Sequence, residues 1–350
     1  MSLVASAIDA VERFPLPDAV TRAGIDLLVG RTRRRLAASA TLADQDFVAA
    51  MPAYAVAEHA DHANRQHYEL PPEFFGLVLG PRRKYSCCLY RAGVETLAEA
   101  ELAALEETLQ HADLHDGQAI LELGCGWGSL SLLMAERFPR ATITAVSNSK
   151  PQRRYIMAEA AARGLANLAV ITADMNVFAP PARYDRIVSV EMFEHMSNWS
   201  ALLSRARDWL HADGALFLHV FSHRAAAYRF DTANDADWIA RHFFTGGIMP
   251  SHRLIYRFGD LFTVEDEWQW SGTHYQRTAE DWLRNFDANL PAIDAVLHKV
   301  YGAEAVLWRR RWRLFFLATA GLFGHAGGRE WGVSHYRLRP RPPVAETIGG

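Results

Sequence analysis

From about residue 112 the chain alternates between short apolar runs and stretches whose apolar residues recur at helical spacing. The apolar runs predict strands at Ala119–Leu123, Thr142–Ser147, Leu168–Thr172, Arg186–Val190 and Ala215–Val220. The amphipathic stretches predict helices at Leu130–Phe138, Gln152–Arg163 and Ala201–Leu210. This alternation is typical of an α/β fold in which helices cover both faces of a parallel sheet.

The flanking parts of the chain follow other patterns. Residues 1–110 predict a helical N-terminal cover, with Asp18 as a candidate helix cap and Arg31 to Arg35 as a solvated helix face rather than a binding site. Residues 111–338 form the predicted core, and an aromatic-rich insertion at about 222–260 lies over the strand ends. Two late strands are predicted at Phe262–Trp270 and Trp331–Leu338, and we expect them to pair at one edge of the sheet. The Pro-rich residues 339–350 are predicted to form a flexible tail.

Composition narrows the functional classes. The chain has 350 residues, half of them hydrophobic, and a net charge of −3, which argues against global disorder and gives no general reason to expect nucleic acid. Charges at Asp9, Glu12 and Arg13 interrupt any signal-peptide core, and no apolar run reaches the ~18 residues of a membrane span. Three cysteines fit neither a disulfide scaffold nor a paired zinc motif. We therefore expect a cytoplasmic protein without a bound metal.

A glycine turn follows the first predicted strand. Gly124, Gly126 and Gly128 separate that strand from a helix, and such a turn presents backbone amides and a helix N-terminus to a nucleotide-type ligand. The spacing departs from the dinucleotide fingerprint, and the second strand ends in Ser147-Asn148, without the carboxylate that binds a ribose in those proteins. A nicotinamide cofactor is therefore disfavoured.

The run Leu121-Glu122-Leu123-Gly124-Cys125-Gly126-Trp127-Gly128 resembles the first motif of class I methyltransferases, which bind S-adenosylmethionine on a Rossmann-like sheet. The resemblance implies that Gly124 and Gly126 hold the methionine part of the cofactor and that Ser147 and Asn148 face its ribose. Asp174 and Met175, after the third strand, fall beside the adenine. Capping of the following loop is the alternative role of Asp174.

Further motifs resemble one subfamily. They are Tyr85-Ser86-Cys87-Cys88, Ser149-Lys150-x-Gln152, Glu191-Met192-Phe193-Glu194-His195-Met196, Asp237-Trp238-Ile239 and His274-Tyr275. This pattern is similar to the cyclopropane fatty acid synthase group, and within it most similar to plant N-methyltransferases of the coclaurine type. The resemblance covers nearly the whole chain and implies that Tyr85, Ser86 and Gln152 also bind the cofactor.

Glu191, Glu194 and His195 carry the candidate chemistry. At positions i, i+3 and i+4 of a helical turn, both carboxylates and the imidazole share one face. Carboxylates attract an ammonium, and Glu194 or His195 can accept its proton before the nitrogen attacks a methyl group. The resemblance implies the same roles in binding and deprotonating a substrate amine. The alternative is a helix start whose acidic side chains interact favourably with the helix dipole.

The remaining candidates line an expected acceptor pocket. In the lipid-modifying relatives, a bicarbonate ion serves as the base and is held by residues that match Cys87, Glu194, His219 and Tyr275. All four residue types are present here, so a lipid remains an alternative methyl acceptor. Those relatives, however, usually carry a small residue at the position of Glu191. Cys87 and His219 also fit simple core positions. The resemblance places Phe244, Trp312 and Phe315 in the pocket, and aromatic faces suit a cationic amine.

The stretch Trp308 to Phe316 fits either a packed helix with solvated arginines or, less well, an amphipathic surface for lipid headgroups. The sequence favours an S-adenosylmethionine-dependent methyltransferase that N-methylates a small amine. The main alternative is a cyclopropane synthase or methyltransferase acting on phospholipid acyl chains. A third, a binding protein without turnover, is disfavoured because the acid–base group is intact.

Overall fold

The computed structural model describes residues 11–14, 16–39, 43–58, 70–233 and 237–342. Among them, the helices before the sheet are α1 (Asp18–Ser39), α2 (Ala43–Ala50), α3 (Pro72–Val78) and α4 (Leu97–His111). Helix α4 begins with a capping box, in which the Thr96 side chain accepts from the Glu99 amide and the Glu99 carboxylate accepts from the Thr96 amide. Asp18 is the first residue of α1, and its carboxylate binds Arg313.

The central part of the chain alternates strand and helix as predicted. Its elements are β1 (Ala119–Leu123), α5 (Ser129–Arg137), β2 (Thr142–Ser147), α6 (Lys150–Ala162), β3 (Leu168–Thr172), β4 (Tyr184–Val190), α7 (Trp199–Trp209) and β5 (Leu210–His223). The predicted bounds of β1, β2 and β3 are confirmed. Strand β5 is longer than predicted at both ends, because its first residue already pairs with Tyr184 of β4 and its last residue, His223, still pairs with Trp331.

The rest of the chain completes the sheet and covers it. Its elements are β6 (Tyr228–Arg229), α8 (Trp238–His242), β7 (Ile248–Met249), β8 (Phe262–Ser271), α9 (Gly272–Ala288), α10 (Leu290–Tyr301), α11 (Ala305–Gly324) and β9 (Trp331–Pro340). The seven-stranded sheet has the order β3-β2-β1-β4-β5-β9-β8. Strands β1 to β5 run parallel, and β9 is antiparallel to both β5 and β8. The Rossmann-like α/β fold class is confirmed.

Strand β9 lies inside the sheet, between β5 and β8. The predicted pairing of the two late strands is confirmed, and its register places His335 opposite both His219 of β5 and Trp268 of β8. The predicted flexible tail begins too early, because β9 continues to Pro340 and the Arg341 amide donates to the Leu261 carbonyl at 2.8 Å. Residues 343–350 of that tail lie outside the described residues.

Helices α9, α10 and α11, between β8 and β9, were not predicted as a unit. Together with α1 and α3 they form a layer that we call the cap helices. Helices from the C-terminal part of the chain therefore join the predicted N-terminal cover of residues 1–110. The apolar faces of these helices meet in one core, where Trp312 lies 4.8 Å from the ring of Phe74 and packs against Phe316.

The arginines of α11 bind protein groups rather than facing an open surface. Arg309 pairs with Asp294, Arg311 with Glu12, and Arg313 with both Asp18 and Asp287. This supports the packed-helix interpretation of Trp308 to Phe316 over a lipid-headgroup surface. Within the described ranges, every helix is too short or too polar to span a bilayer.

Candidate active site

The glycine turn lies where β1 meets α5. The amides of Gly124 and Cys125 donate to the Val146 carbonyl at 3.0 and 2.9 Å, which folds the turn back towards β2. Gly124 has a φ of 81°, and a Cβ atom there would approach the Cβ of Met192 to 2.5 Å. A Cβ atom at Gly126 would meet nothing within 4 Å, so this side of the turn is open for a ligand.

The ends of β2 and β3 continue this surface. The Ser147 hydroxyl donates to Gln152 Oε1 at 2.6 Å, whereas the buried Gln152 Nε2 has no acceptor among the described residues. Asp174 Oδ1 accepts from the Asn176 amide at 2.8 Å, so Asp174 does cap the following turn. Asp174 also lines the cavity, and its two proposed roles are therefore compatible.

One cavity above the carboxyl ends of the strands gathers most of the predicted site residues. The predicted cofactor-binding residues on its wall are Tyr85, Ser86, Gly124, Gly126, Ser147, Asn148, Gln152, Asp174 and Met175. The predicted catalytic and pocket residues on its wall are Glu191, His195, Phe244, Tyr275 and Phe315. Glu194, Cys87, His219 and Trp312 lie behind this wall, and each is fully buried. The open glycine turn and the unpaired Gln152 amide fit an adenosyl ligand.

Glu191 directly follows β4, but not in the helical turn that the spacing predicted. Its φ is 48°, in the left-handed region that is costly for a residue with a side chain, and only Phe193–His195 forms a single 3-10 turn. The two carboxylates therefore do not share one helical face. The strained backbone instead directs Glu191 towards the floor of the cavity.

Three donors meet on the Glu191 carboxylate. Oε1 accepts from the Cys87 amide at 2.9 Å and lies 3.2 Å from His219 Nε2, while Oε2 accepts from the Tyr275 hydroxyl at 2.6 Å. Burial raises the pKa of Glu191, while the positive charge of Lys84 and the Cys87 and Tyr275 hydrogen bonds act in the opposite direction. Cys87 and His219 thus contact Glu191 rather than the cavity.

Glu194 lies deeper than predicted for a group that contacts substrate. Its Oε1 accepts from the Phe221 amide at 2.6 Å, and its Oε2 has no partner among the described residues. Burial, followed by the charge of Glu191, raises the pKa of Glu194 well above its usual value. We infer that Glu194 is the neutral member of the pair and Glu191 the ionised one, because the charge of Glu191 opposes ionisation of Glu194, whereas hydrogen bonds and the charge of Lys84 favour ionised Glu191.

Aromatic rings also line the cavity. His195 stacks on Phe244 with ring centres 4.6 Å apart, and Phe315 stacks on Phe243 at 4.4 Å. Trp312 has no exposed surface and belongs to the core of the cap helices, so its predicted place in the pocket is wrong. At helical spacing, Trp312 and Phe315 cannot be separated into core and pocket from sequence.

Two buried charged residues of the site were missed by sequence reasoning. Lys84 lines the cavity, and its buried Nζ donates to Ser86 Oγ at 2.5 Å and to the Cys87 carbonyl at 2.6 Å. Glu122 lies below the glycine turn and contacts the Ser131 hydroxyl, and burial raises its pKa to about 7. An acidic residue inside an apolar strand was the signal for Glu122, and the position directly before the Tyr85 motif was the signal for Lys84.

Comparison with known proteins identifies the family. The sequence profile described as mycolic acid cyclopropane synthetase matches residues 56–326. The chain belongs to this family. An (S)-coclaurine N-methyltransferase from Thalictrum flavum subsp. glaucum is 36% identical over 291 residues, covering 82% of this chain and 81% of the plant protein. Cyclopropane mycolic acid synthase 1 from Mycobacterium tuberculosis is 30% identical over 236 residues, covering 64% and 81%.

A solved structure of a family member agrees with the fold. Coclaurine N-methyltransferase bound to N-methylheliamine and S-adenosylhomocysteine superposes with a TM-score of 0.90 at 33% identity, over 97% of this chain and 100% of that one. The predictions of the family, of methyltransferase activity and of S-adenosylmethionine as cofactor are confirmed. The protein is an S-adenosylmethionine-dependent methyltransferase.

Proposed function

We propose that the protein transfers a methyl group to the nitrogen of a small amine that carries an aromatic body. The observation that carries this proposal is the Glu191 carboxylate, held by the Cys87 amide, His219 and the Tyr275 hydroxyl in a cavity that aromatic rings also line. A buried anion stabilises an ammonium, and stacked rings favour both a cation and an aromatic body. The relatives of the coclaurine type are named N-methyltransferases, which agrees with an amine as the methyl acceptor.

The position of Glu191 also argues against an acyl-chain acceptor. In the lipid-modifying relatives, bicarbonate is expected on residues that match Cys87, Glu194, His219 and Tyr275. Here the Cys87 amide, His219 and Tyr275 all contact the Glu191 carboxylate instead. The carboxylate of the protein thus occupies the place on which those donors converge. An extra fixed anion serves an ammonium and has no evident use beside an alkene.

The chain's own residues then perform three tasks. Glu191 binds the ammonium form of the acceptor, and the Tyr275 hydroxyl keeps the Glu191 carboxylate in position. Glu191 or His195, both on the cavity wall, accepts the proton that frees the nitrogen lone pair. The residues Ser147, Asn148, Gln152 and Asp174 would hold the adenosyl part of the cofactor, which supplies an activated methyl group when bound. Glu194 supports the backbone at Phe221 from behind.

The cellular setting that we propose is the cytoplasm. All three cysteines are described, and each is buried and unpaired. Burial raises the pKa of the Cys87 and Cys125 thiols well above the usual value, so these thiols stay protonated and unreactive. Such cysteines are compatible with a reducing compartment.

A methyl-transfer assay tests the acceptor class. Purified protein with methyl-labelled cofactor is expected to label benzylic secondary amines and to leave vesicles of unsaturated phospholipid unlabelled. Glu191→Gln should lower kcat by roughly 100-fold or more, because it removes the anion and the proton acceptor, while S-adenosylhomocysteine affinity stays unchanged.

The surface variant Glu106→Gln, which only loses an exposed ion pair with Arg137, serves as the control and should retain full activity. Label in the lipid and in no amine would contradict the proposed function. Equal loss of turnover and of cofactor affinity in Glu191→Gln would make Glu191 a structural residue instead.

A further inference from the structure

Three histidines connect Glu191 to the outer end of α4. His219 Nε2 lies 3.2 Å from Glu191 Oε1, and His219 Nδ1 lies 2.8 Å from His335 Nε2. His335 Nδ1 lies 2.8 Å from His111 Nδ1, and His111 Nε2 lies 3.4 Å from Glu107 Oε1. Each imidazole thus uses one nitrogen towards the active site and the other towards the surface.

The fold holds this series rigidly. His219 and His335 are direct cross-strand partners in β5 and β9, with 0% and 1% of their surface exposed. His111, the last residue of α4, stacks flat on Trp268 of β8 with ring centres 3.8 Å apart. At the outer end, the Glu107 side chain is 22% exposed. The series therefore runs from the cavity to solvent through a buried part of the sheet.

The hydrogen-bond directions are consistent for two proton positions. With Glu191 ionised and His111 charged, His219, His335 and the Nδ1–H of His111 each donate towards Glu191, while the Nε2–H of His111 faces Glu107. With Glu191 protonated and His111 neutral, every N–H points towards Glu107. One proton hop at each link converts the first arrangement into the second without leaving any buried nitrogen unpaired.

We propose that Glu191, His219, His335, His111 and Glu107 form a histidine relay that conducts the proton released by the acceptor amine to the protein surface. The inference rests on the proposed N-methylation. Methylation of an ammonium releases one proton for each methyl group transferred, because the product nitrogen carries one hydrogen fewer. Glu191 takes this proton from the nitrogen, which gives the second arrangement. Hops from Glu191 to His219, from His219 to His335 and from His335 to His111 then give the first arrangement. His111 passes its Nε2 proton to Glu107 or to water, and the rings return to their outward-pointing tautomers before the next turnover. No electron transfer is involved.

The surroundings suit a relay of neutral rings. Burial lowers the pKa of His219 and of His335 well below the usual value, so each ring keeps one N–H and one lone pair. The other titratable groups near the two ends are few: Lys84, Cys87, Tyr275 and Glu194 near Glu191, and Arg91, Arg337 and Asp266 near His111. Trp270 packs against both inner rings and excludes water.

Replacing a ring by an amide tests the relay. His335→Gln retains hydrogen-bonding groups but cannot pass a proton, so kcat for the amine should fall roughly tenfold, a smaller loss than removal of the proton acceptor itself. KM for the amine and the affinity for S-adenosylhomocysteine should stay unchanged. His111→Gln, at the surface end, should show the same loss, and imidazole in the buffer should restore its kcat.

His252→Gln is the matched control, because His252 is a partly buried histidine that bonds Ser334 outside the relay. It should retain wild-type kcat. Wild-type kcat in His335→Gln, or a loss in His111→Gln that imidazole does not restore, would refute the relay.

Ring nitrogen NMR of histidine-labelled protein gives a readout that needs no turnover. We expect His219 and His335 to be neutral and to carry the ring proton on the same nitrogen, either both on Nε2 or both on Nδ1. The signals of these hydrogen-bonded ring protons should disappear in His335→Gln. A charged His335 or opposed tautomers would overturn the relay. A wild-type protein that methylates no amine would instead refute the proposed function, and the ring signals would then decide the relay alone.

Discussion

At the scale of single residues, Glu191 adopts a conformation and a buried position that are both energetically unfavourable by themselves. A left-handed φ of 48° for a residue with a side chain costs on the order of 1 kcal/mol, and burial of a carboxylate costs more. The donors from Cys87, His219 and Tyr275 offset the second cost and fix the carboxylate in one orientation. A charge held in this way needs no rearrangement when a cation arrives.

Tyr275→Phe tests this balance of interactions. The Tyr275 hydrogen bond lowers the pKa of Glu191, so its removal should raise that pKa further. Glu191 must be ionised to bind the ammonium, and the acidic limb of the kcat/KM profile should therefore move to higher pH. Stopped assays across a pH series would measure the shift. An acidic limb that stays in place or moves to lower pH would contradict the assigned role.

At the scale of elements, the sequence predicted best where one pattern repeats. Strands β1, β2 and β3 follow from buried apolar runs, and the glycine turn follows from its spacing. Helices α9 to α11 of the cap were not predicted because they lie between β8 and β9, where the strand–helix alternation has already ended and gives no signal.

In the active site, too, features that follow from the repeating strand–helix pattern were predicted and the others were not. Residues at strand ends reached the cavity wall, as the fold class requires. The depth of a side chain depends on local backbone geometry, which the spacing of Glu191, Glu194 and His195 did not reveal. For that reason Glu194 was expected at the surface of the cavity and lies behind it.

Arg313→Ala tests how α1 is fixed to α11. The Arg313 guanidinium binds Asp18 of α1 and Asp287 of α9, and these half-exposed pairs together contribute about 1 kcal/mol. Hydrogen exchange should become faster in α1 and stay unchanged in β1 to β5. Arg284→Ala, which removes an ion pair within α9 whose arginine is more exposed than Arg313, is the control. Unchanged exchange in α1 would show that apolar packing alone holds it.

At the scale of the whole molecule, buried acids make stability depend on pH. Burial raises the pKa of Glu122 to about 7, so the folded state retains a proton that the unfolded chain loses from about pH 4.5 upwards. The free energy of unfolding therefore falls as pH rises from 4.5 to about 7 and then levels off. The full effect of this one group is on the order of 3 kcal/mol.

Glu122→Gln should remove this loss. The Tm of the cofactor-free variant should exceed that of the wild type by an amount that grows between about pH 4.5 and pH 7. Calorimetry at several pH values would measure the difference, with Glu106→Gln as the surface control. A constant difference across this range would mean that Glu122 is already ionised in the folded protein.

The interior position of β9 has a consequence for how the enzyme is made. Strand β8 reaches the sheet only through β9, yet β9 is synthesised after every other strand. Until β9 inserts, the edge of β5 stays open, and an open edge invites pairing with other chains. His335 arrives on that same strand. Closure of the sheet and completion of the relay therefore happen in one event, which implies that a nascent chain is vulnerable to aggregation and inactive until β9 has left the ribosome.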